Sequence, residues 1–329
     1  MLTTEEPSPV SSSLEQKIPT IESIEEGLAS QGYISSRQIA TALFLAVRLG
    51  KPILVEGPAG TGKTELAKAT AGFMDLPLIR MQCYEGLDES KALYEWKYGK
   101  QLLYTQILRD KLGEQLREAA TLDEALIKLD GVDDMFFSER FLEPRPLLRA
   151  LREPLGCVLL VDEVDKADEE FESFLLEILS DYQVSIPELG TQYAKVIPIV
   201  LLTSNNTRDL GDAMKRRCLH LHIGYPDARR EERIVGTRIP HVQQNLLRQL
   251  VHFVQNLRTQ DLRKLPSVSE TIDWARALIL LNAAQLEPEL VHNTLNVLLK
   301  FEGDMTSAGK LVGEMTHQAL RETQGLAAK

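Results

Sequence analysis

A doubly wound parallel α/β sheet followed by a smaller all-α domain is the fold class that the sequence predicts, and three observations predict it. Five short apolar runs, at 52–56, 77–83, 157–163, 199–205 and 219–225, alternate with segments of helical periodicity. The first run leads at once into a glycine-rich loop, as a buried parallel strand feeding a turn does. Beyond Pro226 apolar residues recur only every three or four positions, as in LLRQLVHFVQNLR, TIDWARALILLNAA and ELVHNTLNVLLKF. With 329 residues, each domain has room for its own core.

The elements follow in order. Residues 1–18 are rich in Ser, Pro and Glu and poor in large apolar groups, so they read as a disordered lead. Residues 21–49 read as two helices broken near Gly32, the second opening on a serine cap and closing at Gly50. PILVE is the first strand, TELAKATAGFM the helix after its loop, and PLIRMQC the second strand. The stretch 84–150 carries less signal. In YEWKYGKQLLYTQ, Tyr94, Trp96 and Tyr98 alternate, as do the residues after Gly99, which predicts a hairpin. Residues 116–129 read as helix, and FSERFLEPRPLLRALRE breaks at its prolines before turning helical. CVLLVDE is the third strand; the helix after it sets Phe171, Phe174, Leu175, Ile178 and Leu179 on one face. DYQVSIPELGTQYAKVIP predicts a second hairpin, turning at Leu189 and Gly190, and IVLLTSN and LHLHIGY complete the strands. The domains are therefore 19–225, with inserts at about 84–150 and 182–196, and 226–329, hinged near Tyr225 and Pro226.

Composition narrows the function. A net charge of −11 disfavours a nucleic-acid binder, whose affinity rests on Lys and Arg. No apolar run is long enough to span a bilayer, and the start MLTTEEPSPVSSSLEQ lacks the pattern of a secretory signal. Cys83, Cys157 and Cys218 are far apart, without metal-ligand spacing, and read as small buried thiols. A reducing, cytoplasmic setting is expected.

Four motifs carry chemistry. Gly57-Pro58-Ala59-Gly60-Thr61-Gly62-Lys63-Thr64 fits the phosphate-binding loop G-x-x-x-x-G-K-[ST], between a strand and a helix as that loop requires. Its glycines let backbone N–H groups converge on an anion, and the helix dipole adds to them. Lys63 is then expected on the β- and γ-phosphates of ATP, with the Thr64 hydroxyl on Mg²⁺. The run 158–163 ends in Asp162 and Glu163 at the carboxyl edge of the sheet, where ligands bind in such folds. By itself that ending reads as a solvated strand end; after a phosphate loop it reads as a carboxylate for Mg²⁺, Asp162, and one that polarises the attacking water, Glu163. Asn205, ending the next strand, is either turn chemistry or a partner for that water or for the γ-phosphate. The triplet Lys215, Arg216 and Arg217 is either a solvated helix end or the source of an arginine finger for a neighbouring subunit's ATP, from Arg217 or from Arg216.

The order GPAGTGKT, VLLVDEVDKAD, FESFLLEIL, DYQVSIPELG, VLLTSNN and DAMKRRCLHL, across roughly 20–280, resembles the MoxR family of AAA+ ATPases. YEWKYGKQLLYTQ and SETIDWARAL are most similar to its CoxD-like branch, which matures carbon monoxide dehydrogenase. The resemblance implies a P-loop NTPase fold with a helical lid, in a homo-oligomeric, hexameric ring with ATP between subunits. It implies Lys63 and Thr64 as Walker A, Asp162 and Glu163 as Walker B, Asn205 as sensor 1 and Arg217 as the finger. It also implies a client protein, a metalloenzyme, and a von Willebrand factor A partner. The inserts at 84–110 and 182–196 then face the ring's pore, where Tyr94, Trp96 and Tyr98 either grip a client or pack across strands. Tyr33 and Ile34 resemble the adenine-side segment. One departure concerns sensor 2: the stretch Pro266-Ser-Val-Ser-Glu270-Thr holds no arginine, which leaves Arg263 and Arg276 as candidates. The reading is an ATP-hydrolysing remodelling enzyme. A nucleotide-gated scaffold has no need of Glu163 or a finger, a DNA-acting AAA+ protein sits poorly with the acidic charge, and a small-molecule kinase does not explain the helical domain.

Overall fold

Runs of Val, Ile and Leu uninterrupted by charge become strands covered on both faces. The computed structural model, which describes residues 11–117, 121 and 136–327, sets three such runs at the centre of a five-stranded parallel sheet and two partly exposed strands at its edges. Their spatial order is Leu78–Gln82 (β2), Val158–Asp162 (β5), Ile199–Ser204 (β8), Ile53–Glu56 (β1) and Leu219–His222 (β9). Every residue of β5 and β8 is buried. Alternate side chains feed opposite cores. Leu54, Met81, Leu159, Val161 and Leu202 pack under Pro146–Arg152 and Glu169–Asp181. Ile53, Val55, Val158, Leu160 and Leu201 pack under Arg37–Leu49 and Lys63–Met74. Register brings the carboxyl ends level, with Gln82 opposite Asp162 and Glu56 opposite Ser204. All the polar residues that end these strands therefore meet at one edge.

Two expectations are corrected. The lead at 1–18 is not disordered from Ser11 onward: Ser11–Lys17 is a helix. Leu14 and Ile18, one turn apart, are buried in the core beneath the sheet, Lys17 donates to the Met74 carbonyl at 2.6 Å, and Glu15 pairs with Arg48 at 2.6 Å. Two well-placed apolar residues outweigh the polar composition around them; residues 1–10 lie outside the described part. The hairpin expected at 94–106 is likewise absent. Tyr94–Trp96 (β3) pairs antiparallel with Leu142–Pro144 (β4), and the chain after Lys97 is the helix Tyr98–Arg117. Gly99 to Arg117 is dominated by Lys, Gln, Leu and Arg, with Thr105 and Ile107 its sole β-branched residues, so helix propensity prevails over a short alternation. The helix expected at 116–129 falls almost wholly outside the described residues. The second hairpin does form, from Gln183–Ile186 (β6) and Gly190–Tyr193 (β7).

After β9 the described chain is helical: Ala228–Arg238, Gln244–Leu257, Val268–Leu280, Pro288–Leu298, Glu302–Gly309 and Val312–Ala327. Phe253 and Trp274 meet at its centre with rings 5.3 Å apart. A buried ion pair ties this unit to the hinge. Arg258 reaches Glu231 with two nitrogens, at 2.6 and 2.7 Å; Thr271 and Gln255 donate to the same carboxylate at 2.8 and 2.6 Å. The guanidinium also stacks over Tyr225, 4.7 Å from the ring centre, and its Nε donates to the Pro266 carbonyl at 2.8 Å. Glu231→Leu strands a buried charge, so it is expected to lower stability by about 3–5 kcal/mol. The double variant Glu231→Leu/Arg258→Met is expected to restore part of that. Urea unfolding followed through Trp274 fluorescence checks both; equal loss in the single and double variants would show that the pair's charge is not what matters.

Candidate active site

The phosphate loop is built from backbone constraints. Gly57, Gly60 and Gly62 have φ of 148°, 72° and 92°, values that residues with a Cβ resist. Space excludes a side chain as well: a Cβ on Gly57 would lie 2.1 Å from the Ile223 carbonyl oxygen, and one on Gly60 2.3 Å from Ser267 Oγ. The loop therefore lies directly against β9's exit on one side and the helical lid on the other. The helix beginning at Lys63 points its free N–H groups into the loop. Lys63 is buried, and its ammonium donates to the Gly57 and Pro58 carbonyls, both at 2.7 Å. Burial pulls it below the ordinary lysine range, against the opposing pull of Asp165, Asp162 and Glu163.

Facing this loop, Asp162 is buried and fully engaged. Its Oδ1 accepts from the Thr203 hydroxyl at 2.5 Å and the Thr64 hydroxyl at 3.1 Å; its Oδ2 accepts from Arg80, at 2.6 Å from Nη2 and 3.1 Å from Nε. Glu163 sits in the left-handed region, φ 57°, where its N–H donates to Thr203 Oγ1 at 2.9 Å. Its carboxylate takes Gln82 at 2.8 Å, Lys166 at 2.6 Å and the Asn205 amide at 3.3 Å. Asn205 is held in turn by Asp165, which accepts from its N–H at 3.2 Å and from the Thr207 N–H and hydroxyl at 2.9 and 2.6 Å. Burial works to raise the Asp165 carboxyl, but the bonds from Thr207 and Asn205 prevail and hold it below the usual range. A cleft of about 380 Å³ opens between these groups, lined by Lys63, Thr64, Arg80, Asp162, Glu163 and Asn205 among others, with Ser269 reaching it from the lid. A second pocket adjoins it across Gly60, Gly62 and Glu65. Tyr33, Ile34, Ile234, Val268 and Ile272 give this pocket apolar walls, and Arg230 and Arg238 stand at its edge. A polar cleft joined to an apolar slot suits a triphosphate joined to a flat base.

The structure thus brings together Gly57 to Thr64, Asp162, Glu163 and Asn205. It does not bring Arg216 or Arg217 there: both are exposed at the end of Asp212–Arg217, where Arg217 donates to the Leu176 carbonyl at 3.4 Å. Nor do the candidates for sensor 2 line the cleft. Arg263 stacks on Phe301, 4.2 Å from its ring centre, and Arg276 pairs with Asp273 at 3.1 Å. The residues missed by sequence reading are Arg80, Gln82, Asp165 and Lys166. Arg80 and Gln82 had a signal: two polar residues at period 2 inside an otherwise apolar strand. Asp165 and Lys166 follow the Asp-Glu pair after a single valine. The oxygens of Thr64 and Asp162 are the hard donors that Mg²⁺ takes. All three cysteines are buried, and burial raises each thiol to about 12.

Residues 52–218 match the family described as AAA domain (dynein-related subfamily). An uncharacterized protein of Staphylococcus epidermidis is 28% identical over 248 residues, covering 73% of this chain and 79% of that one. An uncharacterized protein of Staphylococcus aureus is 27% identical over the same shares. Among solved structures, the Thermotoga maritima RuvB Holliday junction branch migration motor is similar at 15% identity and a TM-score of 0.44, covering 86% of this chain and 72% of that one.

Proposed function

The chain belongs to the dynein-related subfamily of AAA domains, a family of ATPases, and from that premise we propose that it hydrolyses ATP in a hexameric ring to remodel a client protein. The observation that carries this reading is the convergence of Lys63, Thr64, Asp162, Glu163 and Asn205 on one cleft. Each has work suited to its position. Lys63 and the loop's N–H groups hold the β- and γ-phosphates. Thr64 and Asp162 are the residues that would hold Mg²⁺, which when bound neutralises charge on those phosphates. Glu163 polarises the attacking water, and Asn205, already bonded to it, fixes the direction in which it does so.

Arg217 lies outside the cleft formed by its own chain, so as a finger it serves the site of a neighbouring subunit. This gives the proposal its test. Arg217→Ala is expected to bind ATP as wild type does, because no cleft residue is altered, and to release phosphate about 10²-fold more slowly, the usual cost of losing one charge-stabilising donor. Arg216→Ala, assayed beside it, is expected to lose less. Specific activity of the wild type should also rise with protein concentration as subunits assemble. Concentration-independent turnover, unaffected by Arg217→Ala, would remove the shared site.

The finer assignment rests on the order of motifs that resembles the MoxR family and its CoxD-like branch. On that resemblance the client is a metalloenzyme, worked on together with a von Willebrand factor A protein. No helix among the described residues is long and apolar enough to cross a membrane, and cytoplasmic action is part of the same proposal.

A further inference from the structure

Two adjoining grooves run along the short helix Glu89–Ala92, away from the groups that handle nucleotide. One, of about 590 Å³, lies between β3, the start of the helix at Tyr98 and strand β6; Tyr94, Glu95, Trp96 and Tyr98 stand in its wall. The other, of about 330 Å³, runs toward the helix Glu169–Asp181 and is lined by Asp88, Asp168, Glu170, Phe171 and Phe174. Glu89 belongs to both walls, which makes the two grooves one trough. Its lining holds five carboxylates, those of Asp88, Glu89, Glu95, Asp168 and Glu170, and neither lysine, arginine nor histidine.

Some of these carboxylates already have partners. Glu95 pairs with Arg145, Asp88 with Lys91 at 3.1 Å, and Asp168 caps its helix through the Phe171 N–H at 2.8 Å. Glu89 and Glu170 are exposed and have no cation at ion-pair distance among the described residues. Beside them are aromatic side chains. Tyr98 is 63% exposed, and the partly buried Tyr94 meets Trp96 at a steep angle, with 5.9 Å between ring centres. The Tyr94 phenol is raised by burial and further by Glu188 and Glu89, so the field at that end is negative as well.

Unpaired carboxylates beside aromatic faces have two ways to hold one kind of group: a charge-assisted hydrogen bond and a cation–π contact, both made best by arginine and next by lysine. A single small cation would fill one end; two grooves joined at Glu89 suit successive side chains of an extended chain. We infer that this trough grips the client, and that its ligand is an extended polypeptide segment carrying arginine or lysine. The inference rests on the remodelling reading above and names the substrate class for it.

The test is fluorescence anisotropy with two labelled peptides of about twelve residues, one an Arg-Ala-Gly repeat and one a Glu-Ala-Gly repeat. The wild type is expected to bind the arginine peptide at least about tenfold more tightly. Glu89→Lys/Glu170→Lys should weaken that binding by about tenfold or more, and Tyr98→Ala by several fold even at a salt concentration that screens the charges. Melting temperature and peptide-free ATP turnover of the variants should equal those of wild type. Equal binding of the two peptides, or an unchanged affinity in the charge-reversed variant, would overturn the inference. So would displacement of the peptide by spermidine at equal concentration, which would mark a site for small polycations. Wild-type protein without ATP turnover would sink the remodelling proposal instead, and the binding assay, run without nucleotide, would still report on the trough.

Discussion

Glu163→Gln is expected to bind Mg·ATP as tightly as wild type and to release phosphate about 10²- to 10⁴-fold more slowly, the range for losing a positioned general base. The argument is one of geometry retained and charge removed. Glutamine has the same shape: its amide oxygen still accepts one of the bonds that Gln82 and Asn205 donate to the two carboxylate oxygens, at 2.8 and 3.3 Å, and its NH₂ keeps the other contact once the partner amide turns to present its oxygen. The left-handed backbone at this residue, fixed by the N–H bond to Thr203, is not disturbed. What the variant loses is the negative charge that polarises water, and with it the ion pair to Lys166 at 2.6 Å. Phosphate release and equilibrium binding of a fluorescent ATP analogue, measured on the same sample, separate the two effects. Turnover within a few fold of wild type would remove Glu163 from the chemistry. Weakened binding with proportionate loss of turnover would make it a structural residue instead.

How much of this was legible in the sequence follows the range of the interactions. The phosphate loop, its flanking strand and helix, and the Asp162–Glu163 strand end are written in short stretches of chain, and those positions converge in the fold. The serine cap at Ser36 and the left-handed Gly50 that bound one helix are equally local. The alternation of Tyr94 and Trp96 did mark a strand. Its partner, however, is Leu142–Pro144, beyond an intervening helix, and no local pattern names a partner that distant. The same limit hid Arg80 and Gln82. Their polarity was visible, but only the spatial order that sets β2 beside β5 turns it into contacts with Asp162 and Glu163. The Ser11–Lys17 helix was missed because composition averages over a window, while burial of Leu14 and Ile18 depends on just two positions.

Lys63→Ala is expected to weaken ATP binding by about 10²-fold, some 3 kcal/mol, since hydrogen bonds to a charged group contribute about 1.5–3 kcal/mol each. The ammonium bonds the Gly57 and Pro58 carbonyls, inside the glycine-rich loop. It faces Asp162, Glu163 and Asp165, so it also offsets three negative charges that would otherwise repel a triphosphate. Alanine therefore removes an attraction and uncovers a repulsion. Burial of the ammonium costs stability, as the downward shift of this lysine says. Alanine relieves that cost but gives up the bonds to the Gly57 and Pro58 carbonyls, so melting temperature is to be measured beside affinity, and the loss of affinity is expected to be the larger effect. If the subunits of the ring act in concert, Lys63→Ala subunits mixed into wild type should lower activity by more than their fraction, because a subunit without ATP still offers Arg217 to its neighbour but cannot take its own turn in the cycle. A strictly proportional decline would mean that each subunit hydrolyses ATP alone, and unaltered calorimetric uptake of Mg·ATP by the variant would mean that this loop does not bind the triphosphate.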